Sequence, residues 1–96
     1  MKWALLAAQQ DNPAGQLVVA EMYRLGYGKT NGLEESAYWY EKALEHGHYA
    51  LAEYHLADYY AAEGDHQNIE KAISLYERAF DDGYKDAAIK LAELRD

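Results

Sequence analysis

The clearest periodic pattern in the chain lies in the segment SAYWYEKALEHG at residues 36–47. Tyr40, Ala43, Leu44 and Gly47 follow the i, i+3, i+4, i+7 spacing that lines one face of a helix. Leu56, Tyr59 and Tyr60 fall on one turn of another such face. With the local start and stop signals, this periodicity predicts six helices, at about residues 2–10, 13–25, 33–46, 49–62, 67–81 and 84–95.

Several residues mark where these helices begin and end. Asn12-Pro13 is a good N-cap followed by proline at the first helical position, and Asn68 is placed to cap the helix that follows it. Gly47 and Gly83 stand where a helix C-terminus favours a residue with positive φ. The chain is therefore predicted to be all-α with short connections.

The helices fall into two alternating types that recur along the chain. SAYWYEKALEHG aligns with AISLYERAFDDG at residues 72–83 with an offset of 36, so that Tyr40 meets Tyr76. A second element aligns Ala20, Ala57 and Ala92. We name the first type B (2–10, 33–46, 67–81) and the second type A (13–25, 49–62, 84–95). Self-similarity at such a period is typical of helical repeats.

Two motifs carry a family resemblance. Tyr23-x-x-Gly26-Tyr27-Gly28, followed by Trp39-Tyr40-x-Lys42-Ala43-x-x-x-Gly47, resembles the Sel-one-like repeat family, which is related to the tetratricopeptide repeats. The second copy departs from the pattern at Leu75, where the family usually has Trp, and in the longer turn AAEGDHQ. The resemblance implies a right-handed α-solenoid of antiparallel helix pairs in a single domain. Its parts are a half-repeat at 1–12, repeats at 13–47 and 48–83, and a half-repeat at 84–96.

The aromatic block at residues 38–40 is interpreted as packing rather than chemistry. Trp39 and Tyr40, like Leu75 and Tyr76 in the second copy, are expected to fill the space beside the small A-helix positions. Burying each such side chain contributes roughly 1.5–3 kcal/mol.

Composition narrows the function classes. The net charge of −8 and the nine well-spread Lys and Arg residues argue against nucleic acid, because phosphate contacts need clustered cations. No apolar run approaches the length of a membrane span, so membrane insertion is not expected. The absence of cysteine and of a signal peptide favours the cytoplasm, while trimming of a precursor would allow the periplasm.

No catalytic or cofactor site is predicted. His46, His48 and His55 match no established zinc spacing, and no cysteine can assist them. The sequence Gly26-x-Gly28 lacks the preceding strand of a nucleotide site. We therefore expect a protein that is not an enzyme and holds no cofactor or metal.

The expected activity is binding of a protein or peptide. If tetratricopeptide geometry applies, the residue after each small A-helix position faces the concave side, which places an acidic row beside an apolar and aromatic row. The predicted partner-binding residues are Leu17, Glu21, Arg24, Tyr54, Asp58, Ile89 and Glu93. Such a groove suits a peptide with basic and apolar residues. The alternative is that the acidic side chains only keep this face of the helices hydrated.

Two other interpretations remain open at this stage. In the first, the chain is a structural segment of a longer repeat scaffold and has no ligand groove of its own. In the second, the chain self-associates through its first helix, which is apolar on nearly every face because of Trp3, Leu5 and Leu6.

Overall fold

The computed structural model describes residues 2–26 and 32–95, and these residues form an all-α protein. The described helices are α1 (Lys2–Gln9), α2 (Pro13–Arg24), α3 (Gly32–Leu44), α4 (Ala50–Ala61), α5 (Ile69–Asp81) and α6 (Ala87–Arg95). The six predicted helices are confirmed, with ends that agree to within three residues. Tyr27 and Gly28 of the quoted motif lie outside the described residues. Among the described helices, none combines the length and the apolar character that a bilayer crossing requires.

The helices group into two compact units, Met1–Gly47 and His48–Asp96. In unit 1, α2 packs against both α1 and α3. In unit 2, α5 packs against both α4 and α6. Within each unit, consecutive helices therefore pack against each other.

Asn12, Asn68 and Gly83 act as the predicted caps, whereas the prediction of a positive φ at Gly47 is wrong. Asn12 Oδ1 accepts a hydrogen bond from the Ala14 amide at 2.9 Å, and Asn68 Oδ1 accepts one from the Lys71 amide at 3.1 Å. Gly83 has a φ of 107°, and the next amide, that of Tyr84, donates to Ala79 O at 2.9 Å. This pattern closes α5 with a Schellman-type turn that favours glycine. Helix α3 instead ends at Leu44, before Gly47.

Small residues allow the helices of unit 1 to pack closely. A Cβ atom on Gly15 of α2 would lie 2.8 Å from the Ala8 amide nitrogen of α1, so the two backbones are in close contact there. Ala4, Ala8, Val19 and Tyr23 form a buried cluster in this unit. The hydrophobic side chains that pack against the cluster are Leu5, Val18 and Trp39.

The core of unit 2 uses the aromatic and small positions that the sequence marks. Leu75 and Tyr76 of α5 are buried, and Ala57 of α4 is fully buried. In unit 1, Tyr40 and Ala20 are likewise buried. The corresponding prediction for Ala92 is wrong. Helix α6 buries Ala87 and Leu91, and it leaves Ala92 exposed.

Candidate functional site

In unit 1, a tyrosine of α3 is bonded to an acid of α2. Tyr40 Oη donates to Glu21 Oε1 at 2.6 Å. The Arg24 guanidinium also binds Glu21, with Nε 3.0 Å from Oε1 and Nη2 2.8 Å from Oε2. Glu21 therefore joins two helices and is held from two sides. Two of the predicted partner-binding residues, Glu21 and Arg24, are thus in direct contact.

Unit 2 contains the corresponding bond between α5 and α4. Tyr76 Oη donates a hydrogen bond to Asp58 Oδ1. In sequence, Tyr76 follows Tyr40 by 36 residues and Asp58 follows Glu21 by 37. The tyrosine of the B-type helix thus donates to the acid of the preceding A-type helix in both units.

Burial fixes the direction of these bonds. Loss of solvent raises the pKa of Tyr40 and of Tyr76 above the ordinary value, and the neighbouring carboxylates raise it further. Both phenols are therefore protonated donors at neutral pH. The carboxylates are acceptors, and part of their hydrogen-bonding capacity is used inside each helix pair.

A shallow depression of about 330 Å³ lies on unit 2 beside the second of these bonds. Its lining includes Asp58 and Tyr76, together with Lys90, Glu93 and Leu94 of α6. Two predicted partner-binding acids, Asp58 and Glu93, are therefore brought to one surface. That surface also offers an aliphatic side chain and one cation.

Other predicted residues take different positions. Tyr54 packs its ring 5.5 Å from that of Tyr76 and 4.5 Å from that of Tyr84, and burial raises its pKa. Leu17 is half-buried on α2. Ile89 is 63% exposed on α6. Tyr54 is thus partly committed to packing, whereas Ile89 presents apolar surface.

His46, His48 and His55, which were considered together as a metal site from the sequence, each contact different residues. His46 Nε2 lies 3.0 Å from Asp11 Oδ1 in unit 1. In unit 2, His55 packs against the ring of Tyr54, while His48 Nδ1 lies 3.6 Å from both Glu53 Oε2 and Asp82 Oδ2.

Glu53 is the residue that sequence reasoning missed. It is fully buried on α4, and this burial, together with the nearby Asp82 carboxylate, raises its pKa to about 7. One signal was present in the repeat alignment. Glu53 follows Gln16 by 37 residues, so an acid replaces a neutral amide at a position on the buried face of an A-type helix.

No protein-family model, curated protein or solved structure matches this chain. The described residues establish an all-α fold in which consecutive helices pack against each other within each unit. Its function is argued below from the residues of the two units.

Proposed function

We propose that this chain is a non-enzymatic adaptor built from tandem helix pairs of the Sel-one-like kind, an α-solenoid that binds a protein or peptide partner. The paired bonds Tyr40–Glu21 and Tyr76–Asp58 support the repeat. Two helix pairs with the same interhelical bond at corresponding positions are expected if one structural unit is used twice.

The depression on unit 2 is the single observation that best supports binding. It presents the carboxylates of Asp58 and Glu93 beside the aliphatic side chain of Leu94. Asp58 has one oxygen engaged by Tyr76, which orients the carboxylate without neutralising its charge. A partner segment carrying a Lys or Arg next to an apolar side chain complements this surface.

Glu93 is the residue with which to test this proposal. Substituting Asp58 would break its bond to Tyr76, and substituting Tyr54 would remove packing against two rings. Glu93 is exposed, so a charge reversal there changes the surface and leaves those contacts in place.

We expect Glu93→Lys to lose partners that the unaltered chain captures from a lysate. Glu63→Lys is the matched control, since Glu63 is an exposed acid in the turn after α4 and lies outside the lining of the depression. Quantitative mass spectrometry of the captured proteins would compare the three baits. The binding assignment fails if every captured protein is retained equally by the two variants.

Self-association is a second candidate, and the exposure of α1 favours it. Trp3 is 68% exposed and Leu6 is 54% exposed, whereas Leu5 packs against the unit 1 core. A second copy of the chain would therefore contact Trp3 and Leu6 rather than Leu5. Light scattering over a range of concentrations would show a dimer that Trp3→Ser weakens. A monomer at every concentration would exclude this alternative.

A further inference from the structure

Three potential metal ligands converge at one end of the α4–α5 pair. His48 lies two residues before α4, Glu53 is in the first turn of α4, and Asp82 follows α5 directly. One ligand atom from each residue falls within 4.8 Å of the other two. His48 Nδ1 is 3.6 Å from Glu53 Oε2 and 3.6 Å from Asp82 Oδ2.

Glu53 gives an independent reason to expect a ligand here. Its side chain has no solvent-accessible surface, yet neither carboxylate oxygen has a hydrogen-bond partner among the described residues. Buried carboxylates are normally hydrogen-bonded, paired with a cation or bound to a metal. Arg78 Nε at 3.4 Å is at ion-pair distance from Glu53 Oε2, and His48 Nδ1 lies at 3.6 Å, but both separations exceed the usual range of 2.7–3.2 Å for hydrogen bonds.

The corresponding position in unit 1 is occupied differently. The counterpart of Glu53 is Gln16, 37 residues earlier in the sequence. His48 corresponds to Asp11, also at an offset of 37, and Asp82 corresponds to His46 at an offset of 36. There the side chains bond to one another: Gln16 Nε2 donates to Asp11 Oδ1 at 3.2 Å, and His46 Nε2 lies 3.0 Å from the same oxygen. In unit 2 the amide is replaced by an acid, and the ligand atoms stand farther apart.

We propose that His48 Nδ1, Glu53 Oε2 and Asp82 Oδ2 bind a divalent transition-metal ion of the Zn²⁺ class. One imidazole and two carboxylates are a donor set that such ions accept, with water as the fourth ligand. Metal–ligand bonds of about 2.0–2.1 Å place neighbouring tetrahedral ligands about 3.3–3.4 Å apart. The two 3.6 Å separations from His48 Nδ1 need to close by only a few tenths of an ångström, and a carboxylate oxygen of Glu53 lies within 4.8 Å of one of Asp82.

Arg78 is the competitor for this position. Its guanidinium balances the Glu53 charge when no ion is bound, and its side chain is 47% exposed, so it has room to turn into solvent. Removing this cation lowers the electrostatic cost of adding a second one. Arg78→Gln is therefore expected to bind Zn²⁺ roughly tenfold more tightly or better. Unchanged or weaker binding by Arg78→Gln would place the ion away from Glu53 and overturn the proposal.

The main experiment is calorimetric titration of the untagged chain with ZnCl₂ at about pH 8, because protons compete with metal ions for their ligands. We expect one ion per chain. Glu53→Gln and His48→Ala should each weaken binding by at least about 100-fold, which is the upper range for losing a group that only supports a ligand. His46→Ala is the matched control and should keep the affinity of the unaltered chain, because His46 belongs to the unit 1 cluster.

Loss of binding is distinguishable from loss of folding. Glu53→Gln recreates the amide that unit 1 buries at Gln16, and His48 is 69% exposed, so both variants should fold and melt cooperatively in EDTA. Co²⁺ titration provides a second readout, since visible absorption should appear in the unaltered chain, His46→Ala and Arg78→Gln, and should be absent from Glu53→Gln and His48→Ala. No one-site binding by the unaltered chain, or binding that Glu53→Gln and His48→Ala retain, overturns the proposal.

Discussion

At the residue scale, Gln16 and Glu53 are aligned in sequence, and they differ in how their buried side chains are bonded. Both side chains are buried near the start of an A-type helix. Gln16 donates to Ala8 O and Asp11 Oδ1, whereas Glu53 has two carboxylate oxygens without hydrogen-bond donors among the described residues. The side chains that face Glu53 are the His48 imidazole, the Asp82 carboxyl group and the Arg78 guanidinium. The metal-free chain is therefore expected to be less stable when Glu53 is ionised.

Glu53→Gln tests this expectation through pH. The pKa of Glu53 is about 7 in the folded chain and near 4.5 when unfolded, so the folded state holds more protons between these values. Stability from this group is fully present below about pH 4.5 and is lost as the pH rises through about 7. Glu53→Gln should reduce this loss of folding stability with rising pH. At pH 8 in EDTA we expect it to stabilise the chain by roughly 1–3 kcal/mol in urea unfolding.

Glu63→Gln is the control for that measurement, because it makes the same chemical change at an exposed position in the turn after α4. An unfolding free energy that depends on pH equally in the unaltered chain and in Glu53→Gln would contradict the assigned burial cost.

At the scale of the elements, close helix contact in unit 1 depends on a glycine inside a helix. Gly15 lies in α2, where glycine is ordinarily less favourable than alanine. The approach of α1 explains its presence, since an added Cβ would lie 2.6 Å from Ala7 Cβ and 2.8 Å from a backbone nitrogen. The steric requirement thus outweighs helix propensity at this position.

Gly15→Ala should therefore destabilise the chain by about 1–3 kcal/mol, the usual cost of overpacking, although the same change in an open helix is stabilising. Ala14→Gly at the exposed neighbouring position is the comparison, and it should cost no more than about 1 kcal/mol, as propensity predicts. Thermal unfolding followed by circular dichroism measures both. A stabilised Gly15→Ala variant would show that α1 and α2 do not touch there.

The elements themselves were predictable from the sequence, and the reasons are local. Asn12, Asn68 and Gly83 signal helix ends through hydrogen bonds made within a few residues, so their roles follow from sequence spacing. The contacts within the candidate binding surface and the Glu53 cluster were less predictable. The family resemblance predicts that Asp58 and Glu93 share one surface, but the bond from Tyr76 to Asp58 depends on side-chain directions that spacing does not specify. The Glu53 cluster brings together His48 and Asp82, which are 34 positions apart in the sequence. Their proximity depends on the packing of α4 against α5, which local spacing does not specify.

At the scale of the whole molecule, the account depends on one helix pair being used twice. The pairs α2–α3 and α4–α5 share an interhelical bond from a buried tyrosine to an acid, Tyr40 to Glu21 and Tyr76 to Asp58. They also share buried alanines at corresponding positions, Ala20 and Ala57. The adaptor proposal and the comparison of the two polar clusters both rest on this correspondence.

Double-mutant cycles on the two bonds test that correspondence most directly. Tyr40→Phe with Glu21→Gln, and Tyr76→Phe with Asp58→Asn, would be compared in urea unfolding. We predict that each Tyr→Phe change destabilises the chain by about 1–3 kcal/mol and that both cycles give favourable coupling energies of similar size. Coupling in one pair and none in the other would contradict the account, because the two helix pairs would then not be copies of one unit.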